Sequence, residues 1–184
     1  MHPKQIKEVW RRSRCLYDEA AVEAALDRMA EQITQRLGDC NPVLLCVMHG
    51  GLITTGKLAQ RLKFPLQMDY LHATRYREQT SGADLQWKVT PSVSLQGRAV
   101  LLIDDILDEG ETLAQVKAYC LEQGSDKVYT AVLIDKKHDR KHPDSVADFV
   151  GLEAEDYYLF GYGMDYRGYL RNAAGIFAID EADR

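Results

Sequence analysis

Ten consecutive residues hold most of the chemistry that this chain can offer: Asp104-Asp105-Ile106-Leu107-Asp108-Glu109-Gly110-Glu111-Thr112-Leu113. A helix opening at their far end would present unpaired backbone N–H groups and about half a positive charge, which suits a phosphate. Gly110 lets the backbone approach such a group closely, and Thr112 adds a hydroxyl donor. Yet the carboxylates of Asp104, Asp105, Asp108, Glu109 and Glu111 would repel a bare polyphosphate. Ionised carboxylates only accept hydrogen bonds, so they match sugar hydroxyls, metal ions or a proton to be removed. The pair Asp104-Asp105 suits a ribose diol, and Asp108 stands over the phosphate turn. A sugar phosphate fits both features better than a nucleoside triphosphate, and no GxxxxGK[ST] stretch is present. The competing reading is a solvated acidic turn that merely caps a helix.

That turn needs a strand before it and a helix after it, and the pattern supplies both. Ala99 to Ile103 is a continuous apolar run, which reads as a strand buried on both faces; Asp104 to Glu111 reads as a loop and Thr112 to Gln123 as a helix closed by Gly124. The same alternation occurs elsewhere. Asp18 to Leu37 carries Val22, Leu26, Met29, Ile33 and Leu37 on one helical face, with Gly38-Asp39 ending it. Val43 to Met48 is a second buried strand, Gly50-Gly51 closes it, and a helix with Leu52, Leu58, Ala59 and Leu62 follows; Val128 to Ile134 is the next strand. Strands alternating with helices imply an α/β domain with a mostly parallel sheet flanked by helices. Ligands in such sheets bind beyond the carboxyl ends of the strands, where the acidic turn falls.

Two stretches do not follow this rhythm. Tyr70 to Pro91 has little periodicity and is long for a loop, as lids and binding segments often are. Phe149 to Ile179 mixes short β-type runs with Gly161, Gly163 and Gly168, which suggests a small appendage. The expected organisation is one domain over residues 1–184, with a core at about 40–147 and the appendage built from about 148–184 together with N-terminal residues.

Composition excludes several classes. A formal net charge of -5 argues against coating nucleic acid or an anionic membrane. Met1 to Gln5 lead into a polar stretch without a signal-peptide core, and no apolar run spans a bilayer, so a soluble cytoplasmic protein is expected. Cys15, Cys40, Cys46 and Cys120 form no CxxC pair and are expected to be reduced, structural and mostly buried. His138 and His142 have helical i,i+4 spacing, but no third ligand accompanies them, which disfavours zinc.

Val100 to Leu113 resembles the phosphoribosyl-diphosphate loop of type I phosphoribosyltransferases: a hydrophobic strand, two acids, two apolar residues, Asp, a variable residue, Gly, a variable residue and Thr. Val43 to Leu62 resembles the first strand and diphosphate loop of the hypoxanthine-guanine branch. Asp148-Phe149-Val150-Gly151 and Tyr158 to Tyr166 resemble its purine-binding hood. The likeness covers roughly residues 40 to 180. It implies transfer of a phosphoribosyl group to hypoxanthine or guanine with Mg²⁺, in purine salvage, by a homodimer or homotetramer.

By the same resemblance, Asp108 handles the purine N7 proton, Asp104 and Asp105 hold the ribose hydroxyls, and the amides of Asp108, Glu109, Gly110, Glu111 and Thr112 bind the 5′-phosphate. Lys136, just after its strand, would donate to the purine exocyclic oxygen; Tyr158 would stack on the base and Leu159 would meet its edge. Asp165 would be a metal-linked acid beside the base, with Asp104 and Asp105 also near the metal, and Arg171 would grip diphosphate. A solvated Lys136 and a core Tyr158 are the competing readings. The chain departs from many relatives at His49, before Gly50 in the diphosphate loop, where they carry Lys after a cis peptide. It departs also at Arg75-Tyr76, the closest match to a lid Ser-Tyr, and at Glu109 and Glu111, which are often neutral or basic elsewhere. Two rivals stay open: a regulator that senses phosphoribosyl diphosphate and binds RNA or DNA, and a transferase for another base such as xanthine.

Overall fold

The computed structural model describes residues 1–75, 85–143 and 145–184. In chain order the elements are α1 (Pro3–Arg12), β1 (Arg14–Asp18), α2 (Glu19–Leu37), β2 (Val43–Val47), α3 (Leu52–Arg61), β3 (Gln67–Arg75), β4 (Leu85–Val89) and β5 (Ala99–Leu107). Then follow α4 (Glu111–Glu122), β6 (Lys127–Lys137), β7 (Phe149–Glu155), β8 (Leu159–Phe160), β9 (Gly175–Ala178) and a 3-10 turn at Glu181–Asp183. Six strands form one sheet in the order β4-β3-β2-β5-β6-β7, and β1-β9-β8 form a small antiparallel sheet beside it. In the large sheet β2, β3, β5, β6 and β7 run parallel, and only the edge strand β4 is antiparallel.

The continuous apolar runs sit in the middle of this sheet because both faces are covered. Leu44, Leu101, Ile103, Ala131 and Leu133 face the apolar stripe of α2 (Val22, Leu26, Met29, Ile33, Leu37) and Leu58 of α3. Their neighbours Val43, Leu45, Val100, Leu102, Val128 and Val132 face Leu113, Val116 and Cys120 of α4. The chain leaves β2 toward β3 on one side and returns to β5 on the other, so the carboxyl ends of β2 and β5 flank the point where strand order reverses.

Several boundaries differ from those the pattern suggests. The aperiodic stretch from Tyr70 to Pro91 contains most of β3 and all of β4, paired from His72↔Val89 to Arg75↔Leu85. Its alternation is faint because this edge is half-solvated: Leu71, Ala73 and Leu85 are buried while Met68, Tyr70 and Val89 are exposed. Tyr76 lies outside the described residues. Residues Asp104 to Leu107 are not loop; β5 continues through them because β6 keeps pairing as far as Leu107↔Asp135. For the same reason Lys136 lies within β6 and not after it. Phe149–Glu155, grouped with the appendage on sequence, instead forms the sixth strand of the large sheet. Of the four cysteines, Cys46 and Cys120 are buried, but Cys15 and Cys40 are exposed, because they sit on the small sheet and in the turn after α2.

One polar cluster fastens the small sheet's neighbourhood to the core. Glu23 on α2 accepts from Lys57 and Arg61 of α3 and from the Tyr162 hydroxyl, each at 2.6 Å. Burial pushes the Glu23 carboxyl up, but these three donors outweigh it and hold it at about 2. Among the described residues no helix is long and apolar enough to cross a membrane.

Candidate active site

The β2–α3 and β5–α4 turns meet at the switch point, and glycine permits the approach. A Cβ on Gly51 would lie 2.3 Å from the Ile103 carbonyl oxygen, and one on Gly50 would lie 2.4 Å from an Asp105 carboxylate oxygen. The Met48–His49 peptide is cis. The exposed His49 ring packs edge-on against His72, with centroids 4.6 Å apart. Burial, with repulsion from His49 and Lys88, lowers the His72 pKa.

Beyond β5 the chain turns through Gly110, whose φ of +79° lies in the left-handed region. A side chain there would also meet Ser145, 2.2 Å away. Gly110 caps α4 with no side-chain acceptor, so the first-turn amides of that helix open toward the cleft. Asp104 and Asp105 precede this turn as a half-buried and a buried acid, with the Asp105 N–H donating to Asp104 Oδ1 at 2.9 Å. Burial and the adjacent Asp105 carboxylate hold Asp104 well above the usual carboxylate range; burial also raises Asp105. A pair of this kind favours hydroxyl donors or a divalent cation over an anion.

Asp108 is the best-connected acid of the turn. Its Oδ2 accepts from Lys136 Nζ at 3.0 Å, and its Oδ1 lies 2.7 Å from His138 Nε2. Burial pushes the Asp108 carboxyl up, but Lys136 and then His138 outweigh it and hold it below its usual value. Lys136, with a side chain only 9% exposed, also donates to Asp156 at 3.2 Å, and Arg140 reaches the other Asp156 oxygen at 2.8 Å. The side chain of Lys136 is therefore not solvated. Asp108, His138 and Asp156 are the only three potential metal ligands grouped among the described residues, but the Lys136 ammonium bridges the two acids and fills the place of a cation.

The opposite wall comes from the segment around β8. Tyr158 is exposed, not a core aromatic, and its ring lies 5.7 Å from that of Tyr166; Leu159 beside it is buried. Asp165 pairs with Arg171 at 2.6 Å and accepts from the Gly168 N–H at 2.6 Å. Arg171 also donates to the Gly163 carbonyl at 2.5 Å. Gly163 in turn packs on Gly50, where a Cβ would meet the Gly50 oxygen at 2.0 Å, so the wall and the diphosphate-loop candidate touch through backbone.

These parts enclose one cleft of about 850 Å³. It brings together His49, Gly50, Asp104, Asp105, Asp108, Glu109, Gly110, Thr112, Lys136, Tyr158, Leu159, Asp165 and Arg171. Glu111, exposed on the first turn of α4, does not line it. The side chain of Arg75, like Tyr76, lies outside the described residues. Sequence reasoning missed Asp156, Arg140 and His138. The His138–His142 spacing pointed to a helix, but His138 follows directly on β6.

A mostly parallel α/β sheet with an acid pair, a glycine-capped amide turn and a facing aromatic wall defines a sugar-phosphate-binding protein of the phosphoribosyltransferase type. The comparisons agree. Residues 14–167 match the model of the phosphoribosyl transferase domain, and the chain belongs to that family. It is 28% identical to the hypoxanthine-guanine-xanthine phosphoribosyltransferase of Tritrichomonas foetus, covering 92% of each chain. It is 29% identical to the hypoxanthine-guanine phosphoribosyltransferase of Bacillus subtilis, covering 91% of this chain and 93% of that one. A solved hypoxanthine-guanine-xanthine phosphoribosyltransferase superposes with a TM-score of 0.83 at 27% identity, over 91% of this chain and 97% of the other. The hypoxanthine phosphoribosyltransferase of Trypanosoma cruzi gives 0.84 at 25% identity, over 91% of both.

Proposed function

We propose that this chain is a 6-oxopurine phosphoribosyltransferase of purine salvage, converting hypoxanthine or guanine and phosphoribosyl diphosphate to IMP or GMP and diphosphate. The observation that carries this reading is Asp108, a carboxylate kept ionised by its neighbours in one cleft with the acid pair and the open amino end of α4. The names of the relatives that match along nine-tenths of the chain support the substrate class.

On this reading the amides from Asp108 to Thr112 and the Thr112 hydroxyl hold the 5′-phosphate. Asp104 and Asp105 accept from the ribose hydroxyls, while His49, Gly50 and Arg171 face the diphosphate. Tyr158 stacks on the base and Leu159 meets its edge. Lys136 donates to the 6-oxo group; a 6-amino group, itself a donor, would leave that ammonium opposed. As the bond from purine N9 to the anomeric carbon forms, the bond from that carbon to the diphosphate oxygen breaks, and its electron pair leaves with diphosphate. The N7 proton passes to Asp108. Asp165, with Asp104 and Asp105, offers the hard oxygen donors that suit Mg²⁺, and burial raises the pKa of both members of the pair, a strain that a nearby positive charge would relieve. Held by these acids, Mg²⁺ would supply charge neutralisation for the departing diphosphate.

Hypoxanthine, guanine, xanthine and adenine assayed with phosphoribosyl diphosphate and Mg²⁺ test the reading: turnover of the first two is expected, and turnover of adenine alone, or of none, overturns it. Xanthine is the second reading, because one matched relative is named for it. A nucleic-acid-binding regulator is disfavoured by the net charge of -5. Asp108→Asn should lower turnover by about 100-fold or more while sugar-phosphate affinity changes little; equal losses in both would contradict its role. Assembly as a homodimer or homotetramer in the cytoplasm completes the proposal. The exposed Met68 and Tyr70 on β3 offer apolar surface for it, and sedimentation of the purified chain tests it.

A further inference from the structure

We infer that His138 is the positioning residue for Asp108, anchoring one carboxylate oxygen so that the other faces the purine; this rests on the role proposed for Asp108. The two oxygens are held from different directions. Oδ1 meets His138 Nε2 at 2.7 Å, and Oδ2 takes the Lys136 ammonium at 3.0 Å. When Lys136 turns to a purine oxygen, Oδ2 loses its partner and becomes the free acceptor. Asp156, with Arg140 behind it, keeps the ammonium from drifting away. Oδ1 remains bound, so the carboxylate cannot rotate about its own axis while Oδ2 works.

The backbone fixes which imidazole nitrogen carries the proton. Arg140 N–H donates to His138 Nδ1 at 3.1 Å, so Nδ1 is the acceptor and the proton resides on Nε2, aimed at Asp108. The His138 side chain is only 4% exposed and does not line the cleft, so the imidazole is shielded while the Asp108 side chain it anchors faces the cleft. It acts through Asp108 and touches no reacting atom. The chain just beyond grips the next residue of the turn: His142 N–H donates to the Glu109 carbonyl at 2.7 Å, and the Ser145 hydroxyl holds the His142 carbonyl at 2.6 Å. The segment after β6 thus fixes two successive residues of the phosphate turn from behind, one by side chain and one by main chain.

The charged groups around Asp108 are Lys136 from β6, Asp156 after β7, Arg140, and Glu109 on the turn itself. Loss of the His138 donor should therefore raise the acid limb of the single-turnover rate, because Asp108 must be ionised to accept a proton. His138→Ala is expected to slow single turnover by roughly 10- to 100-fold, the value of a buried hydrogen bond to a charged group, with little change in KM for phosphoribosyl diphosphate. His138→Gln, whose amide nitrogen reaches the place of Nε2, should recover most of the rate and restore the acid limb. Nitrogen NMR of the imidazole in the unaltered protein should report the Nε2-protonated form. The inference is overturned if His138→Ala turns over normally with an unmoved acid limb, if the Gln variant is as impaired as the Ala variant, or if NMR finds the proton on Nδ1. The NMR and the Gln variant decide the matter even where the Ala variant fails to fold. Inactivity of the unaltered protein on every purine would instead remove the proposed reaction, while the NMR still reports on the His138–Asp108 contact.

Discussion

The amino ends of α1 and α2 are closed by the chain's own side chains, and those of α3 and α4 are not. His2 accepts from Lys4 N–H at 3.3 Å while Gln5 reaches back to His2, and Asp18 accepts from Ala21 N–H at 2.9 Å. At Gly51 and Gly110, which open α3 and α4, no side chain caps the helix. A helix that serves only the framework benefits from a built-in acceptor worth about 1 kcal/mol. The two helices at the switch point forgo that contribution; on the function proposed above, the open amino end of α4 serves an anion that arrives with the substrate.

Breaking the open end should have the largest effect. Gly110→Ala must place a side chain at a left-handed φ and against Ser145. The expected result is a loss of phosphoribosyl-diphosphate affinity of about 100-fold or more by calorimetry, with the large sheet still folded. A smaller effect of a different kind is expected at the seam between α2 and α3. Because the Glu23 carboxyl is held at about 2 in the folded chain, below its usual 4.5, its contribution is complete above pH 4.5 and fades as pH falls from there toward 2. Glu23→Gln should therefore cost about 2 kcal/mol at neutral pH, allowing for partial exposure, and little once the pH falls below 2; denaturant titration at several pH values checks both ends. The smallest effect is expected at a closed end: Asp18→Ala should cost about 1 kcal/mol of stability and leave substrate affinity untouched. If Asp18→Ala weakened substrate binding while Gly110→Ala did not, the contrast between closed and open helix ends would be wrong.

Legibility in the sequence follows the same division between framework and site. Val43–Val47, Ala99–Ile103 and Val128–Ile134 were readable because helices cover both of their faces, so every position but Thr130 is apolar. The edge pair β3 and β4 was not, because only alternate residues such as Leu71 and Ala73 meet the core. Helix α1 escaped notice since it buries little beyond Val9. The acid pair hid the end of β5, since strand continuation there depends on pairing with β6 and not on local pattern. In the site, the order of residues from Asp104 to Thr112 carried its chemistry locally. The partners that govern Asp108 lie 28 and 30 residues away, and only the parallel register of β5 and β6 brings them together.

The small sheet has its own timetable. β1, at residues 14–18, has its hydrogen-bonding partner at 175–178, and β8 pairs with the same late strand. A chain emerging from the ribosome can close its large sheet, and with it the glycine-capped turn, while β1 still waits for β9. The aromatic wall opposite that turn is thus the last part whose strand partners are all present; on the function proposed above, a nascent chain would complete its phosphate site before its base site.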